Sequence, residues 1–514
     1  MANSRTENVV KNSGATIIFK LVQIIIRFVI RTVFIRFLGN EYTGVSSLFT
    51  DILTVLSLME MGLDSSMIFS LYKPLVEKDE RRIAALMNFY RTAFACIGFG
   101  VLALGALCIP FLQHIVRNVP NIKEDIRVIF LMYVLTSGSS YFFVYKTVLI
   151  RADQKSRIIS LVTMVIHIVE CVVEVVLLVL FRQFFAYLIV HFIATVARNI
   201  IMSNKAEKMY PQYLGNRRER LSRAEKIVLY KNIGALCVYN LAAVVLSSTD
   251  SIFVSAFVGT AEVAVIGNFT LITNNVKSSI KLVVDVTRPS VGNLVASDSV
   301  ERQYAMFKNI HFMNFWIGCF CSVSLFSLLN PFVGDIWFDA SYKISALIVA
   351  FMVLNFYFSM MSFVVGTFRS TNGLFVQGWH RPAVMALMNI ILDYFMGKRW
   401  GIVGIYIATS ISLLCTQVWF DPYIVYKYVF KKKPTEYYLL YAKQLCLMVL
   451  LCGLTYWLGS LLPVSNVYAA FILKVLLVLL VPNAVIVLLF HKTVEFSYSV
   501  DTVKRISRRF LRRR

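Results

Sequence analysis

Charge is scarce in this sequence. Asp, Glu, Lys and Arg make up 16% of its 514 residues, against about 25% in an average soluble domain. Hydrophobic residues make up 58%, more apolar surface than a soluble fold can hide. The nine cysteines form no spacing pattern: Cys319 and Cys321 are the closest pair, too near one another for ordinary metal-ligand spacing. All nine read as small buried hydrophobes. A cleavable leader is not expected, because the polar start MANSRTENVVKN runs into a long apolar stretch carrying three cations, unlike a short signal-peptide core. No outward loop is long, which leaves no room for an extracellular catalytic domain. The chain has no Walker loop, GxSxG, HExxH or DxD motif. An enzyme or a nucleotide-driven pump therefore has no motif to rest on, and no organic cofactor is expected.

Long apolar stretches are what the sequence does have. They recur from end to end, each long enough for the ~20 helical residues that cross a ~30 Å bilayer. The pattern predicts an all-α polytopic membrane protein with about 14 spans. Spans 1, 2, 7 and 8 are expected near 13–37, 43–72, 232–257 and 262–287, and spans 11 and 12 near 382–397 and 401–426. Lys and Arg fall mostly on one set of turns, which places both ends in the cytoplasm. The same bias explains most of the net charge of +24, so no nucleic-acid partner is expected. The tail VKRISRRFLRRR interleaves Val503, Ile506 and Phe510 with cations and reads as an interfacial helix or arm on anionic lipid.

The chain also repeats itself. KNSGA at 11–15 returns as KNIGA at 231–235, and ten identities align over 11–50 and 231–270, among them Gly39 with Gly259 and Phe49 with Phe269. Six spans separate the copies, so the repeats are parallel, an arrangement found in transporters with substrate at the repeat interface. The expected layout is an N-terminal lobe (1–204, spans 1–6), a basic cytoplasmic linker (205–231) and a C-terminal lobe (232–427, spans 7–12). Two extra helices (428–491) and a basic cytoplasmic tail (492–514) follow.

A charge at the centre of a bilayer costs roughly 2.5–3.5 kcal/mol or more, so each one needs a reason. Lys20, Arg27 and Arg31 fall within about 40° on the first span. Lys277, Lys281 and Arg288, with Asp285 among them, share an arc of about 80° on the eighth. Glu60 and Asp64 lie one turn apart on the second, Asp250 is on the seventh, and His167, Glu170 and Glu174 share a face of the fifth. One reading is a positively lined cleft that attracts an anionic head group, Arg suiting phosphate by its planar fork. The other is structural pairing, Arg27 or Arg31 with Glu60 or Asp64. His167, Glu170 and Glu174 would carry a proton or neutralise cations on a neighbouring span. No metal site is expected of them, because no second ligand cluster is evident.

The stretches FIRFLGNEYTG (34–44), EMGL (60–63) and LYKPL (71–75), with STDSIFVSAFVG (248–259) and RPSVGNL (288–294), closely resemble those of Wzx-type polysaccharide flippases. These belong to the multidrug/oligosaccharidyl-lipid/polysaccharide exporter superfamily. The resemblance implies a bacterial plasma-membrane protein that moves undecaprenyl-diphosphate-linked oligosaccharide to the outer leaflet by alternating access. It implies H+ or Na+ as a coupling ion, membrane lipids and polysaccharide polymerase and assembly proteins as partners. It also implies a cleft lined by helices 1, 2, 7 and 8, with Arg27, Arg31, Glu60, Asp64, Asp250, Lys277 and Lys281 in it. A lipid II flippase and a multidrug/cation antiporter of the same superfamily share the layout. A cationic cleft should repel the antiporter's substrates. A membrane oligosaccharide polymerase would need the large outward loop that is missing.

Overall fold

A computed structural model describes residues 22–57, 63–112, 122–153, 155–215, 219–227, 229–230, 248–285, 291, 294, 299–374, 377–464 and 466–511. Among the described residues the secondary structure is helical, with no strand. Nine of the described helices are long and apolar enough to cross a membrane. One of these, His380–Phe430, has 51 residues. A straight helix of that length would run ~75 Å, more than twice the hydrocarbon thickness. It is not straight. Gly401 takes φ 58°, a conformation that only glycine adopts without strain. The chain doubles back there, and the Asn389 amide donates to Thr409 Oγ1 at 3.3 Å. These are two spans, as the sequence expects near 382–397 and 401–426.

The regions expected as spans 1, 2, 7 and 8 are not among those nine. Residues 22–38 and Asn40–Leu56 form helices too short, as described, to qualify. Span 2 continues as Leu63–Glu77, and 248–257 is the described part of span 7. Thr260–Asp285 is long enough at 26 residues, but too polar: Asn274, Asn275, Lys277, Ser278, Ser279 and Lys281 crowd its second half. The repeat is visible in the turns. Gly39 and Gly259, with φ 88° and 157°, stand immediately before Asn40–Leu56 and Thr260–Asp285, and Phe49 and Phe269 are both fully buried.

The chain divides into two compact units, Met1–Ala264 and Val265–Arg514. In the first, helices 22–38, Asn40–Leu56, Ile126–Val144 and Phe184–Met209 meet in one core. Phe49 packs edge-on against Phe130 at 4.9 Å and Phe34 against Phe184 at 5.5 Å. Inside a bilayer such packing stabilises by contact rather than by removal from water. Gly44 lets Asn40–Leu56 approach the Thr260 carbonyl so closely that a Cβ would collide with it. Gly44→Ala must push these segments apart. A loss of about 1–3 kcal/mol is expected, read as a lower melting temperature of the purified protein.

A second core gathers Leu63, Met67, Tyr90, Phe94 and Val148, together with Leu221 and Leu229. Those two leucines come from the stretch expected as a basic linker, and they pack into this core. Ser222 and Glu225 form a reciprocal capping box, Ser222 N–H donating to Glu225 Oε2 at 3.0 Å and Glu225 N–H to Ser222 Oγ at 3.3 Å. Arg82 pairs with Glu225 at 3.7 Å, and the Asn88 amide donates to the Glu219 carbonyl at 3.0 Å. The Ser222 hydroxyl and N–H hold the Glu225 carboxyl below its ordinary pKa. A depressed carboxylate stabilises the fold above its unfolded pKa, and that contribution is lost as pH falls through the folded value. Amide protection factors over 219–227, corrected for the intrinsic slowing of exchange at lower pH, should therefore fall as pH drops through the glutamate range, measured against Glu225→Gln, which should lack the effect.

In the second unit Val300–Pro331 is the central helix. Phe307 meets Phe368 at 5.2 Å and Phe430 at 5.1 Å. The Asn314 amide donates to the Met360 carbonyl at 2.9 Å, and Trp316 Nε1 to Asn483 Oδ1 at 2.8 Å. Ser327 and Thr455 hydroxyls lie 3.1 Å apart. The tail forms the helix Val494–Leu511. Its start packs on the central helix, Phe496 stacking on Trp316 at 5.3 Å and Glu495 pairing with Lys308 at 3.8 Å.

Outer helices turn apolar faces outward: Val165, Val169, Val172, Val176 and Leu180 are all exposed. Such a face is stable against lipid, not water. The cysteines follow the same logic and correct one expectation. Cys171, Cys319 and Cys452 are buried, but Cys96, Cys415 and Cys446 are exposed on membrane-spanning helices.

Candidate functional site

The helix over 22–38 carries Arg27 and Arg31 one turn apart. Arg27 is exposed and Arg31 half-buried. The Arg31 guanidinium donates to Ser47 Oγ at 3.0 Å and to the Ala264 carbonyl at 2.8 Å. Its planar fork thus joins three segments of the first unit, and both of these acceptors are neutral oxygens. Structural pairing of Arg31 with Glu60 or Asp64 falls outside the description: Lys20, Glu60 and Arg288 lie outside the described residues, as do the side chains of Asp64 and Asp285. Asp250 is half-buried and engaged in a polar interaction. In the second unit Lys277 is half-buried and Lys281 exposed, one turn apart on Thr260–Asp285.

His167, Glu170 and Glu174 do share a face of Ser156–Phe181, and the structure adds two residues that the sequence reading missed. Only Arg182 and Gln183 separate this helix from Phe184–Met209. The two run antiparallel, so residues equally far from the turn face one another. Glu174 meets His191 and His167 meets Arg198 in this way. His191 Nδ1 lies 2.8 Å from Glu170 Oε1 and 3.6 Å from Glu174 Oε1. Arg198 Nη1 lies 2.8 Å from His167 Nε2. Arginine only donates, so that nitrogen accepts. The His167 proton is then on Nδ1, which faces Glu170 Oε2 at 3.9 Å. Glu170 and Glu174 are 6% and 1% exposed, and Tyr187 stacks on the His191 ring at 6.3 Å. Arg27 is within electrostatic reach of His167, so this cluster borders the cationic face of the first span. His191 and Arg198 lie seven residues apart on one helical face. That spacing, read against the short turn, was the signal available.

A second charged group joins residues that no sequence spacing connects. Arg369 Nη1 pairs with Asp421 at 2.7 Å and Arg381 Nε at 3.2 Å, all three buried. Arg369 also donates to the carbonyls of Leu374 at 3.0 Å and Gln377 at 2.7 Å. This is a latch that ties the turn after Ala346–Thr371 to the helix Trp419–Val425.

The described helices and their hairpins define an all-α fold with many apolar, membrane-length helices. No family model and no curated protein matches the sequence, but solved structures match the fold over most of their length. Lipid II flippase MurJ, in an inward closed conformation, is similar with a TM-score of 0.67 at 14% identity, covering 94% of this chain and 99% of its own. The Vibrio cholerae MATE transporter VcmN, in a mutant form, is similar at 0.57 and 12% identity, covering 83% and 97%. An inward-facing multidrug-resistance MATE transporter of the MOP superfamily is similar at 0.55 and 13%, covering 76% and 92%. The chain has the fold that these transporters share.

Proposed function

We propose that this protein is a flippase that moves an undecaprenyl-diphosphate-linked oligosaccharide from the cytoplasmic to the outer leaflet of a bacterial plasma membrane. The observation that carries this reading is the pair Arg27 and Arg31. These are two guanidinium groups one turn apart on a largely apolar helix, the second oriented by neutral oxygens. A guanidinium matches a diphosphate by its two parallel donors. Lys277 and Lys281, on a span too polar to sit in lipid, add the same sign of charge. A cationic drug would be repelled where a diphosphate is attracted. The sugar needs a polar path, because each unpaired hydroxyl costs several kcal/mol in hydrocarbon. Alternating access exposes that path to one side of the membrane and then the other. Coupling to H+ or Na+ drives the cycle, with Asp250 one of the described acids that the sequence offers to carry it.

Lipid II is the second reading. It is favoured by the likeness to MurJ, which spans 94% of this chain, and its diphosphate would engage the same arginines. Binding separates these readings from cation export. Calorimetric titration of the detergent-solubilised protein should show saturable binding of a short-chain prenyl-diphosphate oligosaccharide, weakened by salt. Ethidium should give no binding heat. Saturable ethidium binding without diphosphate binding contradicts the proposal.

A further inference from the structure

The cluster at the Ser156–Phe181 and Phe184–Met209 hairpin offers more than charge neutralisation. Glu170, Glu174 and His191 each present one donor atom, and the three atoms lie within 4.8 Å of one another. Glu170 Oε2 and Glu174 Oε1 are buried with no hydrogen-bond partner, and the Glu174 atom is the one that faces His191 at 3.6 Å. A buried carboxylate oxygen without a partner costs desolvation that something must offset.

We infer that Glu170, Glu174 and His191 form a binding site for a single divalent transition-metal ion of the Zn2+ class. Donor chemistry selects the ion. Ca2+ and Mg2+ take six or more oxygens, whereas one imidazole nitrogen and two carboxylates suit zinc, with a fourth position open to water. Bonds of about 2.0–2.1 Å in a tetrahedron place ligand atoms about 3.3–3.4 Å apart. The two observed separations from His191, 2.8 Å and 3.6 Å, fall on either side, and the ligand atoms, all within 4.8 Å of one another, close on an ion with shifts of up to about 1.5 Å. Charge closes as well: two carboxylates, a neutral imidazole and a divalent ion sum to zero inside the membrane. Around the ligands, Arg198 fixes the His167 ring at 2.8 Å, and His167 presents its N–H toward Glu170 Oε2. Such an arrangement orients a metal-binding carboxylate. The ion would clamp the two helices beside Arg27.

The inference stands apart from the substrate proposed above and is tested without transport. Purified protein stripped with a chelator is titrated with Zn2+ by calorimetry and with Co2+ by visible absorption. One Zn2+ per chain is expected, with a Co2+ band of the intensity that tetrahedral nitrogen and oxygen ligands give. Glu174→Gln and His191→Asn should each weaken binding at least ~10-fold, whereas His491→Ala, at an exposed histidine, should not. Absence of saturable Zn2+ uptake and of the Co2+ band in the native protein overturns the inference, whether or not the variants fold. Uptake that is equal in the native protein and both ligand variants overturns it too.

Discussion

Arg27→Ala is expected to slow translocation of a diphosphate-linked lipid by about 10- to 100-fold while leaving the melting temperature unchanged. The size follows from one charge-assisted bond to phosphate, worth about 1.5–3 kcal/mol, where each 1.4 kcal/mol is a factor of ten. The unchanged stability follows from its exposure: this side chain supports no core. Arg31→Ala should slow transport similarly and also lower the melting temperature, because it removes the bonds to Ser47 and the Ala264 carbonyl. Arg31→Lys keeps the charge but loses the fork, and should fall between. The comparison separates a binding role from a structural one. Normal transport by both alanine variants removes the pair from the mechanism.

Asp421→Ala should have the largest effect on stability. It leaves the buried Arg369 and Arg381 without their shared carboxylate. Removing one partner of a buried ion pair typically costs about 3–5 kcal/mol. Expected results are a sharp fall in membrane-inserted yield and a melting temperature lower by roughly 10 °C. Asp421→Asn keeps an oxygen acceptor for Arg369 and should lose less. A melting temperature unchanged by both substitutions would show that the shared carboxylate does not hold the two arginines in place.

Much of this architecture is legible in the sequence, for reasons that the structure makes clear. The hairpin at Gly401 was readable because two spans' worth of apolar residues meet at a short cationic turn. The turn at Gly39 was readable from its second copy at Gly259. Hydropathy misled for the cysteines because lipid is as apolar as a protein core: Cys96, Cys415 and Cys446 look the same as Cys319 until the fold is known. The charged clusters are legible only in part, because spacing along one helix does not show which residues of the next helix face it. His167, Glu170 and Glu174 announce themselves by spacing on one helix. Their partners His191 and Arg198 depend on the antiparallel register of the next. The Arg369–Asp421–Arg381 latch joins residues far apart in sequence, and nothing local marks it. The linker leucines Leu221 and Leu229 were hidden among cations that belong to the surface they pack beneath.

The most direct test of the central claim is translocation in proteoliposomes. The protein is reconstituted with a short undecaprenyl-diphosphate oligosaccharide on one leaflet, and a lectin or glycosidase on the far side reports the sugar that crosses with time. A cationic dye is followed in parallel. Sugar crossing that depends on the protein and is lost in Arg27→Ala, with no movement of dye, is the predicted result. Dye movement with no sugar crossing would contradict the account, leaving the fold in place and the substrate class wrong.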